Sequence, residues 1–339
     1  MTEGESSESA ARVAAREKRN AWLKTAFRGL LFFVGVGAVV GLVLDTGPDE
    51  VLATLLRSAR WLPLVLALEA AWISFDVIAI RLLLGESARS VPLRVWARSA
   101  VVAYGVMVLL PAGRAGAEVA RAAQLAPYVG GARAAALATR LQGATLFGNT
   151  LISIPCYVAV ALADNAHSPL GYAVLGNGLV TAVLGGAIIL AARRSKIGGW
   201  LGARIKFLAS HGTSFDAALR DETPWAPPIM ATFAGRMLQA VQYGVLLLAV
   251  GGTLTPISAL VSQGIHLVGA GLGDMVPNQA GVTETAYRLF APALGLADEP
   301  ARALGIALVA RICQYFLAGV SLIVGWLWKP ATRAVPASS

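Results

Sequence analysis

The sequence predicts an all-α polytopic membrane protein with about six full spans and two re-entrant broken-helix hairpins, related as an inverted repeat. Hydrophobic residues make up 56% of the 339 residues and charged residues only 14%, a composition typical of membrane proteins. The apolar residues form runs long enough to cross a bilayer, which takes about 20 helical residues. Two of these runs are interrupted by proline and glycine at matching positions, as in the discontinuous helices of transporters.

The N-terminal segment 1–25 is polar, and its second part is basic. We expect a cytoplasmic tail that lies against anionic lipid headgroups, because no motif in this segment supports nucleic-acid binding. A single transmembrane domain is predicted over 26–330, and a second cytoplasmic tail over 331–339. Within that domain we place repeat one at about 26–192, a polar connector at about 193–224 and repeat two at about 225–330.

Six apolar stretches are predicted as full spans: about 26–44, 61–84, 133–163, 172–192, 228–250 and 302–328. The stretch 45–60 is predicted to be a loop between the first two spans. Loops rich in Lys and Arg alternate with loops poor in them. The positive-inside rule then predicts cytoplasmic N- and C-termini. It also predicts that the first hairpin enters from the cytoplasm and the second from the opposite side.

The first broken helix follows the apolar run 101–110. Pro111 and Gly116 are expected to break it. Arg114, Glu118 and Arg121 follow at spacings of four and three, so they share one helix face. An arginine near the bilayer centre costs roughly 2.5–3.5 kcal/mol on insertion scales, so such groups normally face a cavity or a partner.

The second broken helix repeats this pattern. Pro277 and Gly281 are followed by Glu284 and Arg288, and proline precedes glutamate by seven residues in both copies. Helices that start after the glycines would aim backbone N–H groups at an anion. Further along, the segment ALATR of the first half corresponds to the segment ALVAR of the second half. These two segments end in Arg140 and Arg311.

A simpler interpretation stays open for both hairpins. The pairs Arg114–Glu118, Glu118–Arg121 and Glu284–Arg288 would then be intrahelical ion pairs that only make the hairpins insertable, and the prolines and glycines ordinary kinks. We favour a binding role for the repeated set, because neutral residues would insert more cheaply.

Three acidic residues are candidates for proton coupling. Glu69 and Asp76 lie seven residues apart on one face of the second span, and Asp274 lies near the end of the apolar run 264–276 of the second hairpin. Acidic groups inside spans commonly carry protons or bind cations. Pairing with an arginine from another helix is the alternative, and His266 is expected to be a hydrogen-bonded interior residue.

Catalytic motifs are largely missing from the sequence. The histidines have no metal-ligand spacing, and neither a nucleophile elbow nor a Walker lysine motif is present. No catalytic residue, metal or cofactor is therefore predicted. Cys156 and Cys313 lie in separate apolar segments and are interpreted as buried thiols.

The motifs just described resemble a known family. The segments LPAGRAGAEVAR at 110–121, ATR at 138–140, and VP followed by GVTETA within 276–286 are similar to the membrane region of bacterial lysylphosphatidylglycerol synthase/flippases and their stand-alone flippase-like relatives. The resemblance covers roughly residues 25–330. The second copy has QAG and TE where the family commonly has GGxG and RE.

The resemblance implies the translocation half without the synthase domain. We expect a lipid flippase/scramblase-like transporter, which moves an anionic or aminoacylated phospholipid or a related lipid headgroup between leaflets of the bacterial cytoplasmic (inner) membrane. Guanidinium groups suit phosphate, so the substrate-binding candidates are Arg114, Glu118, Arg121, Arg140, Glu284, Arg288 and Arg311.

The expected partner is a membrane phospholipid or a lipid-linked substrate, and not a nucleic acid. A separate soluble lipid-modifying enzyme and a homo-oligomer stay open as partners. Two other functions also stay open: a membrane enzyme acting on polyprenyl-phosphate or a lipid-linked sugar, and a membrane anchor subunit for a soluble lipid-modifying enzyme. We favour the transporter, because an enzyme would need a paired-carboxylate or metal signature and we find neither in the sequence.

Overall fold

A computed structural model describes residue 30 and residues 33–110, 113–194, 212–220, 222–273 and 276–328. These residues form α-helices joined by turns and short 3-10 segments, with no strand among them, which confirms the all-α prediction. Both predicted tails, Pro111, Asp274 and much of the connector lie outside the described residues.

The helices follow one another with short connections. In chain order they are α1 (Phe33–Thr46), α2 (Pro48–Ser58), α3 (Leu62–Leu84), α4 (Leu93–Leu109), α5 (Gly113–Val129), α6 (Gly131–Ala163), α7 (Pro169–Arg194), α8 (Gly212–Leu219), α9 (Ala226–Ala249), α10 (Pro256–Gly273), α11 (Val282–Leu289) and α12 (Pro300–Leu327). Pro155 lies inside α6, which continues through it.

The structure contains long apolar helices, as expected from the high hydrophobic content of the sequence. Within the described residues, four stretches are long and apolar enough to cross a bilayer: Pro48–Ser90, Gly131–Ala163, Pro169–Arg193 and Pro300–Leu327. Helix α9 has 24 residues but carries polar residues, and α1 is a shorter apolar helix. The polar residues of α9 are buried within the protein, where partners rather than lipid surround them.

The stretch 45–60, expected as a loop, contains a helix. Pro48 occupies the first turn of α2, together with Asp49 and Glu50, and Arg57 lies in its last turn. Proline fits a first turn, and this order of charges complements the helix dipole. The buried Ser58 hydroxyl donates to the Ala249 carbonyl oxygen at 3.1 Å, which ties the end of α2 to α9.

Both broken helices are interrupted near the predicted positions. Helix α4 has 17 residues and α10 has 18, so at 1.5 Å per residue they extend about 25–27 Å, short of the roughly 30 Å hydrocarbon layer. The chain then turns back, so that α5 packs against α4 and α11 against α10. Gly116 lies one turn inside α5, whereas Gly281 directly precedes α11.

The two halves pack on each other in a reciprocal way. Helix α4 of the first hairpin contacts α12, which follows the second hairpin, and α10 of the second hairpin contacts α6, which follows the first. Between them, α3 packs along α9. Two halves related by a twofold axis would have this exchange of contacts, whereas the orientation of each half in the membrane stays a prediction.

Candidate functional site

The charged residues of the first hairpin gather around one small cavity, which we call the first-hairpin cavity. Arg114, Glu118 and Arg121 reach it from α5, and Asp76 reaches it from α3. Their common helix face points inward, while Val119 on the opposite face is 70% exposed. The predicted spacing on one face therefore brings three of the candidate residues together.

Arg121 is the most deeply buried charge of this cavity. Its Nε lies 3.5 Å from Glu118 Oε2, and its Nη2 lies 3.7 Å from Asp76 Oδ2. Arg121 Nε, Arg121 Nη1 and Glu118 Oε2 are buried and have no hydrogen-bond partner within the part of the chain that the structure describes. Because buried polar atoms are normally hydrogen-bonded, this cluster retains unused capacity to bind an anion and a cation.

The cavity is nearly closed in this conformation. Its volume is about 10 Å³, which corresponds to roughly one water molecule. Side chains of α3 and α4, including Trp72 and Tyr104, complete its wall. A group larger than water can enter only if α3, α4 and α5 move apart.

The second hairpin contains a complete ion pair instead. Arg311 Nε donates to Glu284 Oε1 at 2.5 Å, and the backbone N–H of Gly281 donates to Glu284 Oε2 at 2.9 Å. Arg311 Nη1 also donates to the Asn278 carbonyl oxygen at 2.5 Å. Both carboxylate oxygens of the fully buried Glu284 are satisfied from within the protein.

This pairing stabilises an unusual turn. Asn278 and Gln279 adopt positive φ angles of 47° and 57°, which are uncommon for residues other than glycine. Arg311 holds the carbonyl oxygen of Asn278, and its Nη2 lies 3.5 Å from that of Gln279. The second hairpin is thus fixed by a side chain from α12.

Two predicted site residues lie elsewhere. The Arg140 guanidinium lies 4.9 Å from the centre of the Trp225 ring and donates to the Thr223 carbonyl oxygen at 2.5 Å. Arg288 forms an ion pair with Asp45 at the end of α1, and not with Glu284 as the intrahelical alternative supposed. Arg140 is buried and the Arg288 side chain is partly exposed, and both arginines connect elements outside the first-hairpin cavity.

A buried polar network lies between the two hairpins. Glu69 accepts hydrogen bonds from the Tyr104 hydroxyl at 2.7 Å and from Gln242 Nε2 at 2.5 Å. Nearby, Arg236 Nη1 donates to Gln239 Oε1 at 2.7 Å. Sequence reasoning missed most of this network, although the spacing of three between Arg236, Gln239 and Gln242 along an apolar helix signals an inward face.

His266 belongs to the same interior, as expected. Its Nδ1 lies 2.7 Å from the Tyr243 hydroxyl, and the two rings stack.

Residues 27–321 match the family described as the lysylphosphatidylglycerol synthase TM region. The chain belongs to this family. The match covers both hairpins and all the helices between them, and it confirms the resemblance drawn from the motifs. A search of curated proteins gave no match. Membership of the lysylphosphatidylglycerol synthase TM region family makes this a membrane-embedded protein linked to lipid handling.

For this member of the family, the two hairpins are chemically unequal. The departure QAG begins at Gln279, within the turn whose Asn278 and Gln279 carbonyl groups bind Arg311. The described residues of the first hairpin hold no such partner for Arg121, whose carboxylate neighbours lie 3.5 and 3.7 Å away, beyond hydrogen-bond distance. Among the predicted residues that the structure describes, Arg114, Glu118 and Arg121, with Asp76, surround an incompletely satisfied cavity.

Proposed function

We propose that this protein moves a phospholipid between the leaflets of the bacterial cytoplasmic membrane and binds the headgroup phosphate in the first-hairpin cavity. One observation supports the proposal: two N–H groups of the buried Arg121 have no acceptor among the described residues. A guanidinium binds phosphate through two parallel hydrogen bonds. A phosphate beside Arg121 would supply the missing acceptors.

The remaining charges of the cavity limit the headgroup. Arg114 would share the phosphate with Arg121, and the carboxylates of Asp76 and Glu118 face the same space. Glu118 Oε2 is buried and receives no hydrogen bond from any described residue, so it is suited to an ammonium group. Two cations and two anions together favour a headgroup that carries both a phosphate and an ammonium, as aminoacylated phospholipids do.

Movement of the lipid requires the cavity to open, because its present volume of about 10 Å³ admits no headgroup. We place the opening between the first hairpin and α3, so that the acyl chains remain in the bilayer while the headgroup enters. The second hairpin contributes a firm partner surface, since Glu284 and Arg311 satisfy each other. Cytoplasmic termini, supported by the basic loops, belong to the same proposal.

The test is reconstitution of the full chain into vesicles that contain fluorescent phospholipids, including anionic, aminoacylated and cardiolipin-type lipids. Leaflet accessibility is measured with a membrane-impermeant quencher. Arg121→Gln should slow lipid movement roughly 10- to 100-fold, because a hydrogen bond to a charged group contributes about 1.5–3 kcal/mol. Arg89→Gln is the matched control, since Arg89 is exposed in the turn after α3.

Two outcomes would overturn the proposal. One is the absence of protein-dependent lipid movement for every lipid of the panel, with the protein verified as inserted. The other is equal movement in Arg121→Gln and wild type. Turnover of a lipid-linked sugar by the same vesicles would point to the enzyme alternative instead.

A further inference from the structure

We propose that Glu69 is a proton-binding site that couples a proton gradient to lipid movement. This inference rests on the proposed function for its second half, the coupling, but not for its first half, the binding of a proton. Glu69 lies on α3, two helical turns before Asp76, and is only 1% exposed. Its carboxylate contacts residues of two other helices, Tyr104 of α4 and Gln242 of α9.

The partners of Glu69 are neutral. Tyr104 donates one hydrogen bond and Gln242 another, while among the described residues no Lys, Arg or His forms an ion pair with this carboxylate. A buried charge without an opposite charge is costly, and binding a proton removes that cost. Glu284 provides the contrast, because Arg311 neutralises it directly.

The charged and titratable groups around Glu69 are few. Tyr104 faces it from α4, Arg236 and Tyr243 from α9, and Cys313 from α12. Arg236 is the one cation among these four, and its Nη1 is bound to Gln239 while its guanidinium lies 5.5 Å from the centre of the Trp72 ring. It acts on Glu69 through space and leaves both carboxylate oxygens to neutral donors.

An acceptor for the added proton is already present. Gln242 Oε1 is buried and has no hydrogen-bond partner among the residues that the structure describes, although Gln242 Nε2 donates to Glu69 Oε2. Rotation of this amide by half a turn would place Oε1 where it accepts the O–H of a protonated Glu69. The amide therefore matches both protonation states, donating to the carboxylate and accepting from the acid.

Tyr104 connects this site to the first-hairpin cavity. Its side chain lines the cavity, and its hydroxyl donates to Glu69 Oε1 at 2.7 Å. A proton from water in the cavity can be taken up by the Tyr104 oxygen while the hydroxyl proton passes to Glu69, and release follows the reverse path. Because Tyr104 is on α4, a headgroup that displaces this wall also changes the donor to Glu69.

The first experiment detects the proton itself and needs no lipid movement. Infrared difference spectra of the full chain between high and low pH should show a carboxylic-acid C=O band that is lost in Glu69→Gln. Glu86→Gln is the matched control, because Glu86 is exposed and its variant should keep the band. Tyr104→Phe should shift the band, because this substitution removes the hydrogen bond that the Tyr104 hydroxyl donates to Glu69. An unchanged spectrum in Glu69→Gln overturns the proton site.

The second experiment tests the coupling in vesicles with a pH difference across the membrane. Wild type and Glu86→Gln should accumulate lipid in one leaflet, and Glu69→Gln should lose this accumulation while its thermal unfolding stays near that of wild type. The coupling alone is overturned if lipid movement in the wild type does not depend on the pH gradient. It is also overturned if Glu69→Gln still accumulates lipid in one leaflet. No lipid movement under any condition overturns the proposed function and the coupling with it, and the infrared result then decides the proton site.

Discussion

Two buried glutamates at matching sequence positions have different chemical surroundings. Glu284 receives hydrogen bonds on both oxygens, from Arg311 and from the Gly281 backbone. Glu118 has Arg121 as its ion-pair partner at 3.5 Å, and its Oε2 has no hydrogen bond to the described part of the chain. The first arrangement stabilises one conformation, and the second leaves atoms that a ligand can satisfy.

The Glu284–Arg311 pair should be important for stability. Arg311→Met leaves a buried carboxylate without its cation and should lower the unfolding free energy by about 3–5 kcal/mol. Arg302→Met, in a more exposed pair with Glu299, should cost no more than about 1 kcal/mol. Thermal unfolding in detergent compares the two variants. Equal and small effects would contradict the structural role of the Glu284–Arg311 pair.

Local spacing predicted the residues of the hairpins better than their partners. Arg114, Glu118 and Arg121 share a face because helix geometry relates residues three and four apart. The same rule suggested Arg288 as the neighbour of Glu284, whereas Arg288 pairs with Asp45 and Glu284 with Arg311. Those partners come from other helices, and the packing that brings them together has no signal in local spacing.

The positions of the helix breaks were predictable because proline and glycine act locally on the backbone. The exact geometry of the breaks was not predictable. Helix α5 begins at Gly113, and Gly116 lies within it. A Cβ atom at Gly113 would lie 1.9 Å from the carbonyl oxygen of Met107, whereas one at Gly116 would first meet the Val106 side chain at 3.1 Å. Close approach of α5 to α4 therefore depends on Gly113, a contact that is visible only once the hairpin is folded.

Substitution of Gly113 tests this close approach. Gly113→Ala should destabilise the protein by about 1–3 kcal/mol, the usual cost of overpacking, despite the better helix propensity of alanine. Gly131→Ala is the control: a Cβ atom there meets nothing within 4 Å, so stability should stay equal or rise. Thermal unfolding and yield of folded protein measure both. An equal rise in the two variants would mean that propensity alone matters at Gly113.

At the scale of the whole molecule, each hairpin packs on a helix of the other half. Gly105 of α4 faces Ser321 of α12, and Gly264 of α10 faces Cys156 of α6. Small residues at these contacts let the helices approach closely, as is common between membrane helices. If the hairpins open in turn to let a headgroup pass, both contacts have to slide.

Disulfide bonds across these two contacts test whether such motion is needed. An added Cβ atom at Gly264 lies 3.5 Å from Cys156 Cβ, and one at Gly105 lies 3.2 Å from Ser321 Cβ, close to the roughly 3.5–4.5 Å of a disulfide. Gly264→Cys would thus pair with a native cysteine, while the first hairpin needs Gly105→Cys with Ser321→Cys and serine at Cys156. Cys313 is replaced by serine in both proteins.

Oxidation of the Gly105→Cys/Ser321→Cys protein should stop lipid movement in vesicles, and a membrane-permeant reductant should restore it. Oxidation of the Gly264→Cys protein should leave lipid movement largely unchanged, because the proposed opening lies at the first hairpin. The reduced form of each variant is its own control, because it carries the same substitutions without the covalent link. Mass spectrometry verifies that the disulfide has formed. Undiminished lipid movement with a fully formed bond would show that the contact stays fixed during transport. If only the Gly105–Ser321 bond stops movement, then the first hairpin moves while the second, held by Glu284 and Arg311, serves as the fixed surface against which it opens.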